Sequence, residues 1–296
     1  HILRLYEEAG LRAQVAPEVE FFLVHKNTDP DYELMPPKGR SGRREVARMS
    51  FSIDAVAEFE DFVEDMYDFA DAQALDVDTL IHENGAAQLE INFNHGDPLD
   101  MADQVFVFKR TVRETAQRHN MYATFMAKPM QKEPGSALHI HQSILSLETG
   151  KNIFNGPDEQ PTAELMHYIA GLQRYTPDLI SFYAPNVNSY RRLAPDISAP
   201  INLSWGYDNR TTAFRVPDST PDNRRVENRF PGADANPYLA IAASLASGLL
   251  GLEHKLQPTA PHQGTANDDN VEVARSLEEA VRRLNGNDDL SRVIGD

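Results

Sequence analysis

Three stretches of this chain carry acidic, amide or imidazole side chains at alternate positions of an otherwise apolar run. They are Pro17-Glu18-Val19-Glu20-Phe21-Phe22-Leu23, Gln88-Leu89-Glu90-Ile91-Asn92-Phe93 and Leu138-His139-Ile140-His141-Gln142-Ser143-Ile144. In an extended strand, residues two apart share a face. Glu18 and Glu20 therefore point one way, with Val19, Phe21 and Leu23 behind them. Gln88, Glu90 and Asn92 share a second face, and His139, His141 and Ser143 a third. Carboxylates gathered on the inner face of a sheet repel one another and lose hydration. Bound cations remove that penalty, so the pattern predicts a polar cavity lined for metal.

Composition narrows the chemistry. The 296 residues carry a formal net charge of -17, which argues against nucleic acid or an anionic membrane as a partner. There is no cysteine, so disulfides, thiolate zinc sites and cysteine nucleophiles are excluded. Metal ligands must be oxygen and imidazole, which favours Mg2+ or Mn2+ over zinc. The absence of cysteine fits a cytoplasmic enzyme, the location expected here. The apolar run 238–252 falls short of the ~20 residues that span a bilayer and reads as a helix buried in protein. No signal peptide is visible. The chain opens on His1 rather than Met, which suggests that an N-terminal part is missing.

Hydrophobic periodicity predicts helices over 2–9, 54–74, from Asp97-Pro98 onward, over 162–175, from Asn236-Pro237 onward, and a short closing helix from Ser276. Strands are predicted around Glu18 and Glu90 and over 122–129, 137–145, 199–206 and 211–216. The segment 30–44 reads as a loop, and Glu148-Thr149-Gly150-Lys151 as a hairpin turn. The expected architecture is a single α+β unit over 1–296: one curved, mostly antiparallel sheet with helices packed outside it.

Glu18, Glu20, Glu83, Glu90 and Glu227, with His139, are the candidates for a shared metal site. For an isolated Glu, a solvated or arginine-paired side chain is the better reading. Glu-x-Glu followed by Phe-Phe-Leu tips the balance toward metal. Arg191, Arg192, Arg210, Arg215, Arg224, Arg225 and Arg229 crowd one stretch. Surface salt bridges would explain such a set in an acidic protein, but guanidinium groups also suit bidentate binding of phosphate and carboxylate. Carboxylates, metals and arginines together are what phosphoryl transfer needs. No P-loop and no Gly-x-Gly-x-x-Gly fingerprint is present. Trp205 reads as core rather than as a ligand platform.

Taken in order, further motifs join these strands: His82-Glu83-Asn84-Gly85-Ala86-Ala87-Gln88-Leu89-Glu90, Gly135-Ser136-Ala137-Leu138-His139-Ile140-His141, Asn188-Ser189-Tyr190-Arg191-Arg192-Leu193, Asn209-Arg210-Thr211, Arg225-Val226-Glu227-Asn228-Arg229 and Ala235-Asn236-Pro237-Tyr238-Leu239. This series resembles the catalytic domain of the glutamine synthetase family. The resemblance implies that Glu20, Glu83 and Glu90 hold the metal beside a substrate glutamate, and that Glu18, His139 and Glu227 hold the metal bridging the ATP phosphates. His141, Ser143, Arg215 and Arg225 match nucleotide-contacting positions. Gly135, Arg192 and Arg229 match positions that hold the amino acid, and Arg210 matches the arginine that stabilises the transferring phosphoryl group. The implied reaction phosphorylates the γ-carboxylate of glutamate with ATP, and ammonia or an amine then displaces phosphate.

Departures from the family pattern bear on the nucleophile. Ser198-Ala199-Pro200 stands where glutamine synthetases carry Glu-Ala-Pro on a flap, and a serine is no anionic base at neutral pH. Pro134 replaces an Asn, and Asp222 replaces a nucleotide-side Lys. Asn92-Phe93-Asn94-His95-Gly96-Asp97-Pro98, Pro185-Asn186-Val187-Asn188-Ser189-Tyr190 and Gly232-Ala233-Asp234-Ala235-Asn236 resemble the γ-glutamyl-polyamine and γ-glutamyl-amide synthetases of the family. Amine ligation is therefore expected slightly ahead of glutamine synthesis, with a non-catalytic metal-binding relative as a second alternative. A guanidino phosphotransferase ranks below both. The family's N-terminal β-grasp domain is expected to be absent from this chain and its C-terminal segment shortened. A homo-oligomer of hexameric rings, possibly a dodecamer, is expected from the same resemblance.

Overall fold

The computed structural model describes residues 1–29, 31–46, 49–194, 199–266, 273–284 and 287–295. Its spine is one eight-stranded sheet. β1 (Leu11–His25) is the longest strand, flanked by β2 (Val77–His82) and β3 (Gln88–Phe93) on one side and by β5 (Leu138–Ser146) on the other. Beyond β5 come β8 (Val226–Asn228), β7 (Phe214–Val216) and β6 (Trp205–Tyr207), giving the order β2-β3-β1-β5-β8-β7-β6. β4 (Met121–Thr124) pairs with the end of β1. All pairings are antiparallel except β6 with β7.

Eight α-helices are described: α1 (Ile2–Glu8), α2 (Ile53–Ala57), α3 (Glu60–Ala72), α4 (Pro98–Arg118), α5 (Ala163–Tyr183), α6 (Pro237–His254), α7 (Leu277–Leu284) and α8 (Asp288–Ile294). The long ones start where the sequence signals say. Asp97 accepts from Leu99 N (2.9 Å) and Asp100 N (3.2 Å), with Pro98 at the first helical position. Asn236 caps α6 in the same way, ahead of Pro237.

The sheet's apolar face meets the helices. Phe21 on β1 stacks edge-on against Phe62 of α3 and Phe108 of α4, and Phe93 against Phe108. Further along, Gln142 Oε1 accepts from Tyr168 of α5 (2.8 Å), and Asn228 donates to Ser244 of α6 (2.9 Å). The polar face is thereby left to the site.

Several boundaries differ from the periodicity reading. The 54–74 helix is two helices, because the turn between them is drawn to the 39–44 loop. Glu58 O accepts from Arg40 N (2.9 Å), its carboxylate accepts from Ser41 N (3.1 Å), and Phe59 leaves helical geometry to become buried. β4 stops at Thr124, whose hydroxyl accepts from Met126 N (3.2 Å) and turns the chain away. α5 continues through Pro177 because Leu179, Ile180 and Tyr183 extend its buried stripe. The 199–206 and 211–216 strands shrink to three residues each and pair in parallel, with Asp208 in the left-handed region at φ 44°. Trp205 is core, its Nε1 donating to Thr259 O (2.8 Å).

α5 and α6 pack backbone to backbone. A β-carbon on Gly171 would stand 2.2 Å from Ser247 O, and one on Gly251 would stand 2.2 Å from His167 O. Gly→Ala inside a helix ordinarily stabilises by about 1 kcal/mol. Here the overpacking cost of about 1–3 kcal/mol reverses the sign. Gly251→Ala is expected to lower the urea unfolding midpoint; a raised midpoint would contradict this packing.

Candidate active site

Antiparallel register turns the three sequence patterns into one surface. Glu20 lies opposite Glu90, Glu18 lies opposite both Asn92 and His139, His141 lies opposite Glu227, and Glu227 lies opposite Arg215. Cross-strand partners share a face. A continuous acidic and imidazole row therefore crosses β3, β1, β5 and β8. It floors a cavity of about 450 Å3.

The cavity is lined by every expected site residue except Ser143: Glu18, Glu20, Glu83, Glu90, Gly135, His139, His141, Arg192, Arg210, Arg215, Arg225, Glu227 and Arg229. Ser143 sits one step further along β5, paired with Gln14, outside the lining. Of the crowded arginines, Arg224 turns away to the carbonyl of Glu159 (2.8 Å), and Arg191 is exposed outside the lining. Pro134 and Ala199 reach the cavity, whereas Asp222 lies on an exposed 3-10 turn outside it. Ser198 lies outside the described residues.

Three groups of ligand atoms gather within 4.8 Å of one another: Glu20/Glu83/Glu90, Glu18/His141/Glu227 and Glu18/Glu90/His139. The first is the set expected beside the amino acid. The second brings in His141 where His139 was expected. Even so, His139 Nδ1 is 3.3 Å from Glu18 and 3.5 Å from Glu227. Oxygen donors with imidazole fit a hard divalent cation.

The electrostatics divide the floor. Burial opposes the charge of Glu227, yet Arg229, with His141 and His139, draws its carboxyl down to about 2. Arg215 Nη1 bonds Glu227 Oε2 at 2.7 Å, and Arg229 bonds its other oxygen. Burial likewise opposes Glu18, but His141 (2.7 Å) and His139 hold it well below the usual range. Glu90 behaves oppositely: burial, then the charges of Glu18, Glu20, Glu83 and Glu227, push it well above the usual range. Burial also raises Glu20 and Glu83. On the β7–β8 side direct ion pairs thus outweigh burial, whereas toward β2 and β3 burial outweighs Arg210 and Arg229 near Glu83 and Arg192 near Glu20.

Groups the sequence reading did not single out hold these side chains in place. Gln88 Nε2 donates to Glu20 (3.3 Å) and to Gly135 O (2.9 Å), while Ala137 N donates to Glu20 at 2.7 Å. Glu45 accepts from Ala87 N (2.8 Å) and bonds His82 Nε2 (2.9 Å), tying the turn that carries Glu83 to the 36–46 segment. No periodicity could link Glu45 with His82, since they are 37 residues apart. Arg192, buried, donates to Phe230 O (2.7 Å) and Arg229 O (3.0 Å), and burial lowers its guanidinium to about 10. Phe51, Ile81, Asn84 and Thr211 complete the wall.

Comparison with known proteins places this arrangement. Residues 1–296 match the family model for the glutamine synthetase catalytic domain. The chain is 36% identical over 293 residues to the gamma-glutamylputrescine synthetase PuuA of Escherichia coli, covering 98% of this chain and 62% of that protein. It is 35% identical over 298 residues to the glutamate–isopropylamine ligase of a Pseudomonas species, covering 97% and 63%. The glutamine synthetase of Pyrococcus abyssi is 36% identical over 259 residues, covering 88% and 56%. The chain therefore spans less than two thirds of the length of these relatives. A solved structure of ligand-free GmaS superposes with a TM-score of 0.84 at 28% identity, covering 99% of this chain and 68% of that one. The chain belongs to the glutamine synthetase catalytic-domain family.

Proposed function

We propose that the protein is an ATP-dependent ligase that joins an amine to the γ-carboxylate of glutamate through γ-glutamyl phosphate. The observation that carries this reading is the single cavity floored by Glu18, Glu20, Glu83, Glu90, His139 and Glu227 and rimmed by Arg192, Arg210, Arg215, Arg225 and Arg229. Family membership supports it, as do relatives named for γ-glutamyl amide synthesis. In this reading 1–296 is the catalytic unit, completed by a β-grasp domain and by neighbouring subunits of a homo-oligomer.

Glu20, Glu83 and Glu90 would hold one Mg2+ or Mn2+, and Glu18 and Glu227 with His139 or His141 a second. Bound there, the cations neutralise phosphate and carboxylate charge. Arg192 and Arg229, beside the Gly135 loop, orient the amino acid. Arg215 and Arg225, next to His141, face the nucleotide phosphates. Ser143, beyond the lining, would contact the nucleotide further out along β5. Arg210, exposed at the cavity wall, meets the phosphoryl group in flight. The γ-carboxylate oxygen takes the terminal phosphoryl group of ATP and ADP leaves. The amine nitrogen then forms a bond to the acyl carbon as the carbon–oxygen bond to phosphate breaks. Inorganic phosphate and one proton are released. Exclusion of water from the site protects the acyl phosphate.

Three outcomes test the reading. Full-length protein with glutamate, ATP and Mg2+ is expected to release phosphate in an amine-dependent manner and to form the amide; no such release with any amine, ammonia included, would overturn it. Ammonia alone as acceptor would instead make the protein a glutamine synthetase, and nucleotide binding without turnover would make it a non-catalytic relative. Arg210→Lys is expected to lower kcat about 100–1,000-fold, the range seen when one preorganised charge donor is lost, with ATP affinity little changed; weaker ATP affinity at unchanged kcat would place Arg210 in binding alone.

The third outcome is a pH dependence. Folded-state carboxyls raised above the unfolded value, as at Glu90, Glu20 and Glu83, stabilise below that value and lose the contribution as pH rises through their own range. A cation binding there must displace those protons. Mn2+ binding to the nucleotide-free protein is therefore expected to release protons and to tighten as pH rises above about 4.5. Glu90→Gln should lower the proton release and weaken Mn2+ at least tenfold. Calorimetry in two buffers of different ionisation enthalpy measures this, and affinity independent of pH would contradict it.

A further inference from the structure

Resting on the ligase reading, we infer that Asp208 is a positioning residue for the nucleotide: it holds the Arg215 guanidinium so that two of its N–H groups stay available to the incoming phosphates. β6 ends at Tyr207, and Asp208 N donates to Val216 O (2.9 Å), which carries the pairing with β7 one residue further. Asp208 thereby stands beside Arg215, the middle residue of β7. One carboxylate oxygen, Oδ1, accepts from Arg215 Nε (3.2 Å) and from Nη2 (2.9 Å). On the other side, Arg215 Nη1 donates to Glu227 Oε2 (2.7 Å). A guanidinium carries five N–H groups in one plane. Three are engaged here, and two, one on each Nη nitrogen, remain. Arg215 lines the cavity and Asp208 does not, so Asp208 acts on a ligand only through Arg215.

The fold itself gains little from this carboxylate. The Asp208 side chain is 63% exposed, and an exposed ion pair adds little stability. Its backbone lies at φ 44°, where glycine is at ease and aspartate or asparagine is tolerated, so glycine would make the same turn. A bystander carboxylate beside a phosphate site would also repel the ligand. What Asp208 supplies is restraint. Glu227 is fully buried and already paired with Arg229. A guanidinium held by Glu227 alone would turn paired N–H groups onto that carboxylate, the bidentate geometry such pairs favour. The N–H groups left for phosphate would then face Glu227, which the second cation needs free. Asp208 grips the opposite edge of the guanidinium, Nε and Nη2, and prevents that turn. The neighbouring Arg210 has separate anchors: Asn209 donates to Gly264 O (2.8 Å) and accepts from Thr211 N (3.0 Å).

Calorimetry on the full-length protein with Mg2+ and the β,γ-imido analogue of ATP reads nucleotide affinity without turnover, and steady-state kinetics separates KM for ATP from KM for glutamate. Asp208→Gly removes the carboxylate and relaxes the backbone. It should weaken the analogue, and raise KM for ATP, about tenfold, a size usual for coupled neighbours. kcat and KM for glutamate should change less than about twofold, the pattern of lost uniform binding. The thermal midpoint of the nucleotide-free variant should be unchanged or raised, since glycine suits the left-handed region. Asp208→Asn keeps an oxygen acceptor and the same backbone tolerance, and should hold the analogue within about threefold of the unaltered protein. A bystander carboxylate predicts the opposite sign, tighter nucleotide in both variants. Unchanged or tighter binding in Asp208→Gly, an equal loss in Asp208→Asn, or a thermal midpoint that falls together with the affinity overturns the inference while the ligase reading stands. No binding of the analogue to the unaltered protein, with no amine-dependent phosphate release, overturns both.

Discussion

Like charge packed on one side of a sheet is the constraint from which the rest of the structure follows. Glu18, Glu20, Glu83, Glu90 and Glu227 place their ligand atoms in groups no wider than 4.8 Å. At that separation two unit charges repel by roughly 3–4 kcal/mol at an effective dielectric near 20. The protein offsets this unevenly. Toward β7 and β8 it supplies its own partners, with the charges of Arg215 and Arg229 on Glu227 and two histidines hydrogen-bonded to Glu18. Toward β2 and β3, burial of Glu20, Glu83 and Glu90 outweighs the hydrogen bonds to Glu20 and the more distant charges of Arg192, Arg210 and Arg229, so these carboxyls are pushed toward the protonated form unless a cation binds.

Such a floor needs a scaffold that does not relax. The same strands that carry the acids carry Val19, Phe21, Leu89, Ile91, Leu138 and Ile140 on their other face, all fully buried. A slip of one residue in any strand would exchange the two faces. Register is thus specified twice, by the apolar core behind and by the charge row in front. The close crossing of α5 and α6 at Gly171 and Gly251 seats α6 against β8 through Ser244 and Asn228, immediately beside Glu227.

What the sequence disclosed follows from the range of its signals. Alternation over six or seven residues exposed β1, β3 and β5, and with them Glu18, Glu20, Glu90, His139 and His141. β8 is three residues long, too short for any period, so Glu227 stood as a candidate without alternation behind it, and its place in the second ligand set came from the motif resemblance. The break at Glu58 and Phe59 is made by hydrogen bonds to a loop some 18 residues earlier, which helical periodicity cannot register. Phe51 lines the cavity at φ 60°, and neither that backbone angle nor its placement against the turn after β2 leaves a periodic pattern in the sequence. Ser143 marks the reach of the alternation rule: it shares a face with His141, but the cavity ends before it.

The central claim is that two divalent cations sit between carboxylates from separate strands. Anomalous diffraction from crystals soaked in Mn2+ tests it most directly. The account predicts one peak enclosed by Glu20, Glu83 and Glu90 and another beside Glu18 and Glu227 with a histidine. Ordered manganese elsewhere, with these carboxylates ligand-free at saturating metal, would contradict it.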